Sequence, residues 1–143
     1  MSGDLIKLLR FNKHSDKRGN LVAIEQLRDV PFEIKRVYYT YGVNMKEERG
    51  FHAHKTLRQV MICLRGRVTV LLDDGAQTTE VILDSPDMGL VLEPFVWHTM
   101  RGYEESAVLL VLASDFYDES DYIREYAAFK QLAAVTRAEG ASL

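Results

Sequence analysis

Between residues 21 and 112 the chain is cut into nine short apolar runs, and this punctuation leaves few folds open. The runs cover 21–25, 34–41, 50–55, 58–64, 67–72, 80–83, 89–93, 96–101 and 107–112. They are rich in Val, Ile, Leu, Tyr and Phe, which suit a pleated, half-buried surface. Around them lie the turn signals Arg18-Gly19-Asn20, Leu64-Arg65-Gly66, Asp73-Asp74-Gly75 and Asp84-Ser85-Pro86-Asp87. Asp and Gly accept the positive φ of a tight hairpin, so Asp73-Asp74-Gly75 is the firmest of these. Many short strands so closely spaced form a sandwich or barrel rather than α/β layers. Further on the period changes: Tyr122, Ile123, Tyr126, Phe129 and Lys130 recur at three- and four-residue steps. Ser120 can cap a helix and Asp121 complements its dipole, which predicts one helix over about 120–135. At 143 residues the chain reads as one domain, an all-β barrel over about 5–114 followed by that helix.

Composition excludes several function classes. No apolar run approaches the roughly 18 residues of a membrane span. Met1-Ser2-Gly3-Asp4 lacks a signal-peptide pattern, so the expectation is a cytoplasmic protein with no membrane partner. Cys63 is the one cysteine, which rules out an intrachain disulfide and a Cys-rich zinc site and suits a small core residue. The net charge of −3 conceals a split: residues 1–72 carry +7 and residues 73–143 carry −10. The basic half invites an anionic partner. Its cations are scattered among strands with no nucleic-acid-binding motif, so the partner is a small anion and not a polymer.

Two of the four histidines form His52-Ala53-His54. Residues i and i+2 of a strand share a face, so both imidazoles project together while Phe51, Ala53 and Lys55 turn away. Paired imidazoles suit proton transfer or metal binding. Four residues separate His54 from Gln59, and six separate Gln59 from Gly66. This spacing resembles the first motif of the cupin superfamily, small β-barrels of this size. Metal-binding cupins usually carry Glu where this chain has Gln59, and their second motif ends in PxGxxH. Here Pro94-Phe-Val-Trp-His98 lacks that glycine and is one residue shorter. A neutral Gln weakens a site for hard cations, although three imidazoles can still hold zinc, nickel or iron.

A narrower resemblance comes from the segment 31–41, Arg49-Gly-Phe-His-Ala-His-Lys55, Pro94-Phe-Val-Trp-His98 and Leu112-Ala-Ser-Asp-Phe-Tyr-Asp-Glu-Ser-Asp-Tyr-Ile-Arg124. Together these resemble the sugar 3,4-ketoisomerases, cupins acting on dTDP-4-keto-6-deoxyglucose in the making of 3-amino-3,6-dideoxysugars. The resemblance implies a jelly-roll barrel, a homodimer, and no cofactor or metal. It implies transfer of the keto group from C-4 to C-3 through an enediolate. The C-4 ketone acidifies the C-3 hydrogen, and an imidazole with pKa near 6.5 serves as base and acid.

The resemblance places His52 and His54 at the catalytic pair, with His54 expected to act on C-3 and His52 to deliver a proton towards C-4. Tyr39 is the third catalytic candidate. It shares a strand face with Val37 and Tyr41, which Val37 marks as inward, while Tyr38 is expected in aromatic packing. Arg18, Arg36, Arg49 and Lys55 are candidates for the diphosphate or sugar, since guanidinium forks match phosphate oxygens. Gln59 is expected to face inward with Met61 and Cys63 and to hydrogen-bond a histidine or the sugar. His98 is expected to contact sugar hydroxyls. Arg18 with His98 resembles the branch whose product keeps the gluco configuration at C-4. Three other readings stay open: a metal-dependent cupin oxygenase with His52, His54 and His98 as ligands, a non-catalytic sugar-nucleotide-binding cupin, and a sugar 3,5-epimerase.

Overall fold

The computed structural model describes residues 4–141. Two five-stranded antiparallel sheets face each other. The first has the order β1 (Leu8–Arg10), β9 (Met88–Leu92), β6 (Gln59–Arg65), β11 (Val108–Ala113), β4 (Arg36–Thr40). The second runs β12 (Tyr122–Ile123), β5 (Arg49–His54), β10 (Trp97–Arg101), β7 (Val68–Asp73), β8 (Thr78–Leu83). A separate hairpin joins β2 (Lys13–Asp16) to β3 (Gly19–Val22), and α1 (Tyr126–Ala141) follows the last strand. This is the expected β-sandwich barrel with one C-terminal helix.

The core follows from alternation. Along β7, Val68, Val70 and Leu72 are fully buried while Thr69, Leu71 and Asp73 are not. Those three meet Met61, Cys63, Leu83, Leu90, Leu109 and Val111 between the sheets. A second cluster lies on the outer face of the first sheet, where Val30 and Phe32 cover Val60, Ile62, Val91 and Leu112. A third lies behind β5: Phe129 and Ala133 of α1 pack on Ala53 and Ile123. The β7–β8 turn forms as its sequence predicts. Gly75 adopts φ +91°, and its N–H donates to Asp73 Oδ1 at 2.7 Å. Asp74 Oδ1 accepts from Ala76 and Gln77.

Several expectations need correction. Strands β1 and β2 lie before the first predicted run; every residue of β2 is exposed, so no apolar alternation marks it. The helix begins at Tyr126, not at Ser120, and reaches Ala141. The 120–123 stretch is instead a 3-10 turn, Glu119–Asp121, capped by Asp118, followed by β12. Ile123 is spent on pairing with Ala53 of β5 rather than on a helical stripe. The charge split does not persist in space, because strands of both halves alternate within each sheet. Lys7 and Arg58 pair with Glu93, and Arg67 pairs with Glu104, across the division.

Candidate active site

Both sheets contribute to one cavity of about 320 Å³, within the usual range for ligand pockets. Met61, Met100, Leu109 and Val111 form its apolar floor, and His52, His98, Tyr38 and Tyr122 its walls. Arg36, Arg49 and Arg124 complete the lining. Arg36 and Arg49 come from the basic half of the chain and Arg124 from the acidic half.

The histidines converge because β5 and β10 are neighbours. His52 lies directly across from His98, and the register shifts just beyond, between His98 and Thr99. Gly50 (φ +98°) and Phe51 (φ +60°) absorb the extra residue on β5. A Cβ at Gly50 would stand 2.7 Å from the His98 carbonyl oxygen, so this crossing requires glycine. Ring centroids lie 4.7 Å apart for His52 and His98, and 5.0 Å for His52 and His54. Ala53 is fully buried on the opposite face, as strand alternation predicts.

Each imidazole has a distinct setting. His52 Nδ1 donates to the Gly50 carbonyl and His98 Nδ1 donates to the Val96 carbonyl, both at 3.1 Å. A carbonyl oxygen only accepts, so Nδ1 carries the proton and Nε2 keeps its lone pair. Burial pushes His98 down to about 3, with the neighbouring His52 adding to it. Burial likewise lowers His52. His54 is pushed down to about 4 by burial and by His52, against the pull of Asp121. Its Nδ1 lies 3.3 Å from Asp121 Oδ2. Burial thus favours the neutral form of all three rings, in which one ring nitrogen can accept a proton.

The structure separates the two members of the pair. His52 lines the main cavity. His54 is 3% exposed and lies behind it, in a narrow cleft with Arg36, Thr56, Leu57 and Asp121. The expected division, with His54 at C-3, does not suit this arrangement, because the ring open to a bound sugar is His52. Gln59 faces inward as expected, but its Oε1 accepts from Tyr38 Oη rather than meeting a histidine. Tyr39 requires the opposite correction. Val37, Tyr39 and Tyr41 are all more than half exposed, and the face of β4 that lines the cavity is Arg36, Tyr38 and Thr40. Burial pushes the Tyr38 phenol up.

Of the expected cations, Arg36 and Arg49 line the cavity. Arg36 lies over the Tyr38 and Tyr117 rings, and its buried Nε has no hydrogen-bond partner among the described residues. Lys55 points elsewhere and donates from Nζ to the Ser120 carbonyl at 3.1 Å. Arg18 sits on the β2–β3 hairpin, paired with Asp16 at 2.6 Å and outside the clefts that hold His52, His54 and His98. Arg18 and His98 are therefore not joined within one chain. Sequence reasoning missed Asp121, Tyr122 and Arg124 as site residues. Tyr122 lies 4.4 Å from the His54 ring, and Arg124 stacks over Tyr122 while paired with Glu119.

Among the described residues, His52, His54 and His98 form the group able to hold a metal ion, with donor atoms within 4.8 Å of one another. They offer three neutral nitrogens, and Gln59 adds no charge. That donor set suits borderline cations such as zinc or nickel and not hard ones.

The family described as "FdtA: WxcM-like, C-terminal" matches residues 4–134. The chain belongs to the FdtA family. The chain is 52% identical over 128 residues to the TDP-4-oxo-6-deoxy-alpha-D-glucose-3,4-oxoisomerase of Aneurinibacillus thermoaerophilus, covering 90% of this chain and 92% of that one. The fold is similar to the sugar 3,4-ketoisomerase QdtA of Thermoanaerobacterium thermosaccharolyticum, solved in complex with TDP. The TM-score is 0.90 at 43% identity, with 92% of this chain and 96% of that chain covered. It is also similar to the WlaRB TDP-quinovose 3,4-ketoisomerase of Campylobacter jejuni. There the TM-score is 0.85 at 44% identity, covering 88% and 97% of the two chains. FdtA-family membership thus agrees with the resemblance carried by the histidine pair and the 112–124 segment.

Proposed function

We propose that this chain is a sugar-nucleotide 3,4-ketoisomerase whose substrate is TDP-linked 4-keto-6-deoxyglucose. The observation that carries this is His52, its Nδ1 turned to the Gly50 carbonyl, in the wall of a cavity lined by three guanidiniums. The 52% identical oxoisomerase supports the same substrate. A guanidinium pairs with phosphate oxygens in a fork, so Arg36, Arg49 and Arg124 suit the diphosphate. The apolar floor suits the 6-deoxy end of the sugar.

The chemistry follows from the setting. His52 removes the C-3 proton, which the C-4 ketone has acidified. As the enediolate forms, its charge is met by the cavity's cations and by a proton reaching O-4. Loss of the O-3 proton and protonation at C-4 then leave the carbonyl at C-3. His98, with its Nδ1 fixed, presents an acceptor to a sugar hydroxyl, and Tyr122 closes the wall beside His52. A general base placed in this way contributes typically 10²–10⁴-fold.

The enzyme works as a homodimer in this reading. β4 is an edge strand whose outward Val37 and Tyr39, with Tyr41 just beyond its end, form an exposed apolar row, the kind of surface a second copy covers. Arg18 then contacts substrate only from the partner subunit. The gluco assignment rests on Arg18 acting with His98, a pair that only two chains together can form.

The test is incubation of the protein with TDP-4-keto-6-deoxyglucose in heavy water, followed by NMR of the product. A 3-keto sugar labelled at C-4 is expected, with turnover surviving exhaustive chelation. An unchanged sugar would favour a binding module, and exchange at C-3 and C-5 with the ketone still at C-4 would make the protein an epimerase. Loss of turnover on chelation would return the metal-dependent cupin. The H-4 coupling in the same spectrum gives the product configuration.

A further inference from the structure

Granting the isomerase reading above, on which this rests, we propose that Asp121 is a positioning residue that fixes His54 in one tautomer, with Nδ1 protonated and the Nε2 lone pair directed away from the carboxylate. The observations concern one short stretch of chain. The carboxylate of Asp121 is held by donors from Thr56 and Leu57. Its Oδ1 accepts from Thr56 N at 2.9 Å and Thr56 Oγ1 at 2.8 Å, and its Oδ2 accepts from Leu57 N at 3.2 Å. The backbone is pinned as well, with Lys55 N donating to the Asp121 carbonyl at 3.0 Å and Lys55 Nζ to the Ser120 carbonyl at 3.1 Å. The carboxylate therefore cannot swing. The same Oδ2 lies 3.3 Å from His54 Nδ1.

His54 is buried with the Asp121 carboxylate as its ion-pair contact, and among the described residues neither of its ring nitrogens has a partner in hydrogen-bond geometry. An imidazole sealed in that way needs one. A carboxylate only accepts, so it selects the Nδ1–H form. In that form Nε2 is an acceptor, and one nitrogen of each of His52, His54 and His98 already lies within 4.8 Å of the others. A proton taken up by His52 then has a neutral acceptor behind it. The carboxylate stabilises the imidazolium formed at His54 if the proton passes there. Asp121 does not line the main cavity, so its effect falls on the chemistry rather than on nucleotide binding.

The test combines ring-nitrogen NMR of the substrate-free protein with turnover and TDP affinity of two variants. In the unaltered protein, His54 Nδ1 is expected to be protonated and Nε2 not. In Asp121→Asn the amide presents N–H groups to Nδ1, so the tautomer is expected to reverse and turnover to fall about 100-fold. TDP affinity should stay unchanged. Asp121→Glu keeps the charge and should retain the native tautomer with part of the turnover. An Nε2–H tautomer in the unaltered protein overturns the proposal, as does full turnover in Asp121→Asn. The spectrum of the unaltered protein decides the matter even where Asp121→Asn does not fold. An unaltered protein that shows the Nδ1–H tautomer but no isomerisation sinks the functional reading and leaves this geometry standing.

Discussion

Lowering the pH from 7 to 5 should charge the histidines of the unfolded chain long before it charges the buried cluster. Folding holds His54 at about 4 and His98 at about 3, both starting from 6.5. With the folded values depressed, the unfolded state binds its protons first, and stability falls as pH drops through the unfolded value. At pH 5 each imidazole is about 1.5 units below its unfolded pKa and still neutral in the fold. At about 1.4 kcal/mol per unit, each costs about 2 kcal/mol, or about 4 for the pair. That is a large share of the roughly 5–15 kcal/mol stabilising a typical domain. The carboxylates with lowered values, such as Glu93 and Glu119, lose their contribution below this window. Urea unfolding at pH 7, 6, 5.5 and 5, at one protein concentration, reads the slope directly. Replacing His98 with Asn should remove close to one proton's worth of that slope, whatever it does to stability at pH 7. A free energy of unfolding that stays level from pH 7 to 5, or a His98→Asn protein with the original slope, would refute the reasoning.

Other perturbations reach the same site by different routes. Gly50→Ala combines a left-handed φ, worth about 1–2 kcal/mol, with a Cβ forced against the His98 carbonyl. Its melting temperature should drop and turnover fall with it, and an unchanged melting curve would contradict the close approach. Phe129→Ala removes the fully buried ring that seats α1 on Ala53 and Ile123; urea unfolding should show a loss of about 3–5 kcal/mol, and less than a third of that would mean the helix is not anchored there. Tyr38→Phe leaves the buried Gln59 Oε1 without its donor, at about 1–3 kcal/mol, and should lower turnover because the hydroxyl that fixes Tyr38 in the cavity wall is lost. Tyr39→Phe should leave turnover unchanged in the same assay, and a loss there would restore the inward placement of Tyr39.

What was legible in the sequence was whatever a local period encodes. His52 and His54 on one face, Ala53 behind them and the turn at Gly75 all follow from two-residue alternation or from single-residue φ preference. The two tyrosines of β4 show where that logic stops. Alternation assigns residues to two faces but does not name the inner one, and Val37 pointed to the wrong face because the outer face of an edge strand is apolar too. Asp121 was out of reach for another reason. It meets His54 only because β12 pairs with β5, and no local pattern reports a two-residue strand. The same pairing consumed the apolar residues that had looked like the first turn of a helix.

That late strand also orders the protein's manufacture. β1 waits for β9, β4 for β11, and β5 first for β10 and then for β12. Pairings so distant along the chain form slowly and leave apolar strands uncovered in the meantime. A growing chain that ends before residue 118 already contains all four histidines but neither the carboxylate beside His54 nor the ring of Tyr122. Synthesis must pass Arg124 before the site exists, so fragments released earlier carry the histidines without the means to use them.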